Sequence, residues 1–148
     1  MSITPTMTIT MTEDSCILVL KDYLYLMNKW EEKWIKIAEK KYEDAFTEDN
    51  LNLRRSELAE IFNRFLSKKT LAGGQSRLIN LAFSIPPQQH DVSITKIESK
   101  NKRKYQIYVV EKIGKLGARY DLIWEDENWK LDNVAYEALD WRAKRTVF

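Results

Sequence analysis

Residues Arg119 to Tyr136 read RYDLIWEDENWKLDNVAY, a stretch in which apolar and polar side chains alternate on both sides of a short polar turn. Tyr120, Leu122 and Trp124 alternate with Asp121, Ile123 and Glu125. After Asp126-Glu127-Asn128, the residues Trp129, Leu131 and Asn133 alternate with Lys130, Asp132 and Val134. Side chains of an extended chain point to opposite faces in turn. Two such runs about a short Asp/Asn-containing turn therefore predict a β-hairpin.

Outward from the hairpin toward the start of the chain, a loop around Gly114-Lys115-Leu116-Gly117 is preceded by two more strand-like runs, Val92 to Glu98 and Tyr105 to Lys112. They are joined by the basic turn Lys100-Asn101-Lys102-Arg103-Lys104. Tyr105 to Val110 is apolar on both faces apart from Gln106, the pattern of a central strand. Arg77 to Phe83 is a short apolar run ended by Pro86-Pro87, read as an edge strand.

The first half of the chain has helical periodicity instead. Leu20, Tyr23, Leu24, Met27, Trp30, Trp34, Ile37 and Ala38 recur at helical intervals behind the capping-box spacing of Thr10 and Glu13. These predict one long helix over Glu13 to Ala45, with Lys and Glu three or four apart on its outer face. Thr47-Glu48-Asp49-Asn50 starts a second helix, with apolar positions Leu51, Leu58, Ile61, Phe62, Phe65 and Leu66 and a stop at Gly73-Gly74. Residues 1–12 are Thr-rich, lack periodicity and read as a loose arm, so residues 13–148 form a single domain. Helices first and an antiparallel meander afterwards make an α+β layout, with the helices on one face of a curved sheet. A sheet curled around a long helix leaves a cone whose open end can hold a ligand.

Composition narrows function. The chain has 24 basic and 22 acidic side chains and a net charge of +2, so no global field favours nucleic acid or membranes. Cys16 is the single cysteine and His90 the single histidine, which excludes an internal disulfide and any standard zinc spacing. Neither a membrane-length apolar run nor a leader peptide is readable, and the expectation is a soluble cytoplasmic protein without cofactor. Glycine-rich phosphate loops, G-x-S-x-G and H-E-x-x-H are missing from the sequence. His90 follows Pro86-Pro87-Gln88-Gln89 and reads as a solvent-facing loop residue.

Three constellations remain. Tyr23, Trp30, Trp34, Tyr108, Tyr120, Trp124 and Trp129 could line a pocket in which Asp22, Asp121 or Asp132 works as acid or base. The plainer reading is that these rings are core. Lys96, Lys100, Lys102, Arg103 and Lys104 make a basic hairpin able to touch phosphates, although no stacking platform accompanies it. Glu43, Asp44, Glu48 and Asp49 between the helices, and Glu125, Asp126 and Glu127 at the hairpin tip, form two acidic groups suited to a basic protein. Trp141 to Phe148 adds a basic cluster, Arg142, Lys144 and Arg145, with an apolar end.

Over residues 14–142 the chain resembles the bacterial immunity proteins of the nuclear transport factor 2-like fold, which are encoded beside polymorphic toxins. The likeness rests on Met27-Asn28-Lys29-Trp30-Glu31 in the long helix and on Phe83-Ser84-Ile85-Pro86-Pro87. It continues through a tyrosine-bearing strand, Trp129-Lys130-Leu131-Asp132, and Trp141. The resemblance implies a protein that binds and neutralises a cognate toxin without catalysis, by its sheet face and loops, with a homodimer as one form it could take. Matched positions are those that build the fold, so no toxin-contact residue carries over. The same fold includes ketosteroid isomerase-like and polyketide cyclase-like enzymes. A small-molecule enzyme or carrier using the cone is therefore the rival expectation, and a nucleic-acid module through residues 96–104 is a third.

Overall fold

The computed structural model describes residues 10–75, 78, 81, 92–112, 116–137, 141 and 148. Helix α1 spans Glu13–Lys40, a 3-10 turn follows at Tyr42–Phe46, and α2 spans Glu48–Phe65 with a short α3 at Lys68–Ala72. Strands β1 (Val92–Asn101), β2 (Lys104–Glu111), β3 (Gly117–Glu125) and β4 (Asn128–Tyr136) form an antiparallel meander in the order β1-β2-β3-β4. The expected α+β layout holds, with β2 an interior strand.

The long helix starts on a capping box two residues later than the Thr10 and Glu13 spacing suggested. Thr12 Oγ1 accepts from the Ser15 amide at 3.2 Å, and Ser15 Oγ accepts from the Thr12 amide at 3.1 Å. The short serine side chain, not Glu13, reaches back to the orphan amide. The helix also ends before Ala45. Lys41 turns extended at φ −155°, and the chain resumes as the 3-10 turn with Ala45 fully buried. That break lets the Ala45 carbonyl accept from Arg54 Nη1 at 2.9 Å.

The second helix is likewise two helices. Leu66 pairs with Leu131 as a β-bridge, and the Ser67 amide donates to the Leu131 carbonyl at 2.9 Å. Ser67 then caps α3 by accepting from the Thr70 amide at 3.2 Å, and Gly73 closes it. A tertiary contact with β4 therefore overrides the helical periodicity at Leu66. Of the expected edge strand at Arg77–Phe83, Leu78 and Leu81 alone are described, and neither lies in a strand. His90, Pro86-Pro87, the Arg142–Arg145 cluster and most of the 1–12 arm lie outside the described residues.

The hairpin turn is tighter than expected. Glu125 pairs with Asn128, leaving Asp126 (φ 51°) and Glu127 (φ 59°) as a two-residue turn with both residues left-handed. This geometry matches the right-handed twist of the strands it joins. The alternation also shifts within β4. Asp121 pairs with Asn133 and Leu122 with Leu131, so Asp132 is an extra, bulged residue. Beyond it the buried face passes to Val134, not Asn133. Asp132 fastens α3: its carboxylate accepts from Ser67 Oγ at 2.8 Å and Lys69 Nζ at 3.2 Å, and its carbonyl accepts from Thr70 Oγ1 at 2.9 Å.

Between helices and sheet lies one core that includes Leu20, Met27, Trp34, Leu58, Phe62, Ile107, Leu122 and Leu131. Trp129 Nε1 donates to Ser15 Oγ at 2.9 Å, tying β4 to the start of α1. Truncating a core ring of this kind to alanine costs roughly 3–5 kcal/mol.

Candidate functional site

The cone is full. Tyr23 meets Phe65, Tyr120 and Phe148 edge-on, with ring centroids 5.7, 6.4 and 6.3 Å apart, and Phe62 meets Phe148 at 6.4 Å. Trp30, Trp34 and Trp129 are buried in the same core, as the plainer reading of the aromatics expects. Trp124 is half-buried near the hairpin tip, edge-on to Trp129 at 5.3 Å. Tyr108 does not join them: it alternates with the core residues Ile107 and Val109, lying edge-on to Trp141 at 5.4 Å beneath Lys96.

The acids proposed to work in such a pocket are not brought there. Asp22 is exposed on α1. Asp121 alternates with the core residues Tyr120 and Leu122, so it faces the other side of the sheet, where Arg119 Nε donates to it at 3.1 Å. Asp132 is spent at the bulge on Ser67 and Lys69. Two buried charged residues escaped the sequence reading: Glu31 on α1 and Arg54 on α2. Arg54 sits one helical turn before Leu58 on the apolar stripe, and that spacing was the available signal. Besides Ala45, Arg54 donates through Nη2 to the Leu81 carbonyl, and its guanidinium lies 5.5 Å from the rings of both Trp34 and Phe46. Burial lowers its pKa.

On the surface the two acidic groups differ in what they already hold. At the hairpin tip, Glu125 Oε1 accepts from the Lys68 amide at 2.9 Å and Asp126 pairs with Lys68 Nζ at 3.0 Å, leaving Glu127 exposed. The hydrogen bond with Asp126 raises the Lys68 pKa. Glu43, Asp44, Glu48 and Asp49 are all exposed, and none forms an ion pair among the described residues. The basic hairpin is partly neutralised, because Glu98 pairs with Lys96 at 2.6 Å and Lys100 at 3.3 Å. The hydrogen bond from Lys96, then that from Lys100, holds the Glu98 carboxyl below its usual range.

An open groove of about 360 Å³ runs between α1 and α2. Leu26, Trp30 and Ile61 supply its apolar lining, and Lys29, Lys33, Arg64, Glu57 and Glu60 its charged lining. Lys33 and Trp34 both donate to Glu57, so much of that charge is internally matched. Among the described residues no helix is long and apolar enough to cross a membrane.

No curated protein and no solved structure matches the chain. A family model described as NTF2 fold immunity protein matches residues 16–144, from the first buried turn of α1 past the end of β4. On that match the chain belongs to the NTF2 fold immunity protein family.

Proposed function

We propose that this chain neutralises a cognate bacterial toxin by binding its toxic domain one to one in the cytoplasm, and that it performs no chemistry itself. Family membership supports an immunity role. The observation that carries the binding mode is the packing of Tyr23 against Phe65, Tyr120 and Phe148 within the core, with Asp22, Asp121 and Asp132 all placed away from those rings. Exposed acids at residues 43–49 fit a partner of positive charge.

Expression of the toxin domain encoded by the adjoining gene should arrest growth of a host cell, and co-expression of this chain should restore it. The purified pair should elute as a single species of equal stoichiometry. A host that dies while the chain is present, folded and in excess would refute the reading.

A further inference from the structure

The corner between α1 and α2 shows large aromatic surface to solvent. Tyr42 is 69% exposed and Phe46 44%, with ring centroids 4.9 Å apart. Leu53, 45% exposed, stands one helical turn after Asp49 on α2. Phe46 is backed by the buried Arg54 guanidinium, itself held by the Ala45 and Leu81 carbonyls. The backbone around it is fastened as well: Asn50 Nδ2 donates to the Asp44 carbonyl at 2.6 Å, and Thr47 Oγ1 caps α2 by accepting from the Asn50 amide at 3.3 Å. Such a patch is preorganised, so little ordering entropy is lost when a partner covers it. Rigid aromatics of this kind are the common anchors of protein interfaces.

Charge states what would cover it. Glu43, Asp44, Glu48 and Asp49 surround the aromatics in sequence, and residues 42–53 contain no basic side chain, although Lys40 and Lys41 precede them. The rivals are less suited. Glu125 and Asp126 at the hairpin tip are engaged by Lys68, and the α1–α2 groove is of mixed sign, with Lys29, Lys33 and Arg64 against Glu57 and Glu60 and Lys33 paired to Glu57.

We propose that the Tyr42–Phe46 turn and the first turns of α2 are the surface that receives the toxin. Its occupant is a basic protein face, whose cations meet Glu43, Asp44, Glu48 and Asp49 while an apolar element covers Tyr42 and Phe46. This inference rests on the immunity reading and assigns its interface.

The test is the dissociation constant for the toxin domain encoded by the adjoining gene, inactivated in its own active site, against wild type, Tyr42→Ala, the double variant Glu43→Lys/Asp44→Lys, and Glu127→Lys as a control at the hairpin tip. The substituted side chains are exposed, so circular dichroism and thermal midpoints should match wild type. Tyr42→Ala should weaken binding roughly 30-fold, and the double reversal roughly 100-fold with much of its loss in the association rate. Glu127→Lys should bind as wild type does. Wild-type binding with both corner variants unaffected overturns the assigned surface and leaves the immunity reading standing. A wild-type chain that neither binds the toxin domain nor protects a host from it overturns both.

Discussion

At Arg54 a guanidinium that is 2% exposed lies between two aromatic rings and donates to two backbone carbonyls from separate segments, Ala45 and Leu81. Arg54→Ala leaves both carbonyls without that donor, and a buried acceptor left unmatched costs about 1–3 kcal/mol. The variant should lose about 3 kcal/mol of unfolding free energy, read as a lower urea midpoint at unchanged slope. Arg54→Lys should recover little of it, because one ammonium cannot serve two diverging carbonyls as a planar fork does. A loss below about 1 kcal/mol would mean that water replaces the guanidinium. Cys16 is fully buried, and that burial, reinforced by Glu13, pushes its thiol from 9.0 up to about 12. The folded chain thus keeps a proton that the unfolded chain releases. Its contribution to stability is complete below pH 9.0 and is lost as the pH rises toward 12. The fall approaches about 1.4 kcal/mol per pH unit within that window. In urea melts on the two proteins, the stability of wild type relative to Cys16→Ala should be constant below pH 9.0 and decline above it. A difference that stays flat through the window would show that the folded chain accommodates the thiolate.

Among the elements, the β3–β4 turn carries avoidable strain. Glu127 holds φ 59° with a Cβ present, and a non-glycine residue in the left-handed region costs about 1 kcal/mol. Glu127→Gly would create the favoured Asp-Gly turn and keep the Lys68–Asp126 pair, so it should raise stability by roughly 0.5–1 kcal/mol in a denaturant melt. A destabilised variant would show that the flexibility glycine adds to the unfolded chain outweighs the relieved strain. The hairpin itself was legible because period-2 alternation is a local signal, and α1 because its apolar stripe repeats over many turns. What local pattern could not carry was any break set by a distant partner. The α2–α3 interruption exists because Leu66 and Ser67 engage Leu131, and the face change in β4 because Asp132 bulges to hold Ser67 and Thr70. Each depends on residues more than sixty positions apart, beyond the reach of periodicity.

For the molecule as a whole, the same limit applies to the surface. Both acidic groups were visible as composition, but whether a carboxylate is free to meet a partner depends on what folding places beside it. Glu125 and Asp126 are taken by Lys68, 57 positions away from Glu125, whereas Glu43, Asp44, Glu48 and Asp49 stay exposed. The mutual packing of Tyr23, Phe65, Tyr120 and Phe148 was equally out of reach, because alternation marks a ring as inward without telling what it meets there. These two facts together make a thermodynamic prediction. A partner that binds only the folded chain stabilises it by RT ln(1 + [L]/Kd), about 4 kcal/mol at a thousandfold excess over Kd. For a domain of this size that is a rise in melting temperature of roughly 10 °C. The toxin domain should therefore produce a large, concentration-dependent shift. Apolar small molecules should produce a far smaller one, since Tyr23, Phe62 and Phe148 pack against one another in the core and the α1–α2 groove is open and partly charged. The toxin-induced shift should also shrink as salt is raised, because exposed carboxylates act through a field that ions screen over about 8–10 Å near physiological strength. A shift of full size at high salt would move the binding energy from the acidic corner to apolar contact alone. A shift of equal size with hydrophobic ligands in place of the toxin would favour a ligand-binding role instead.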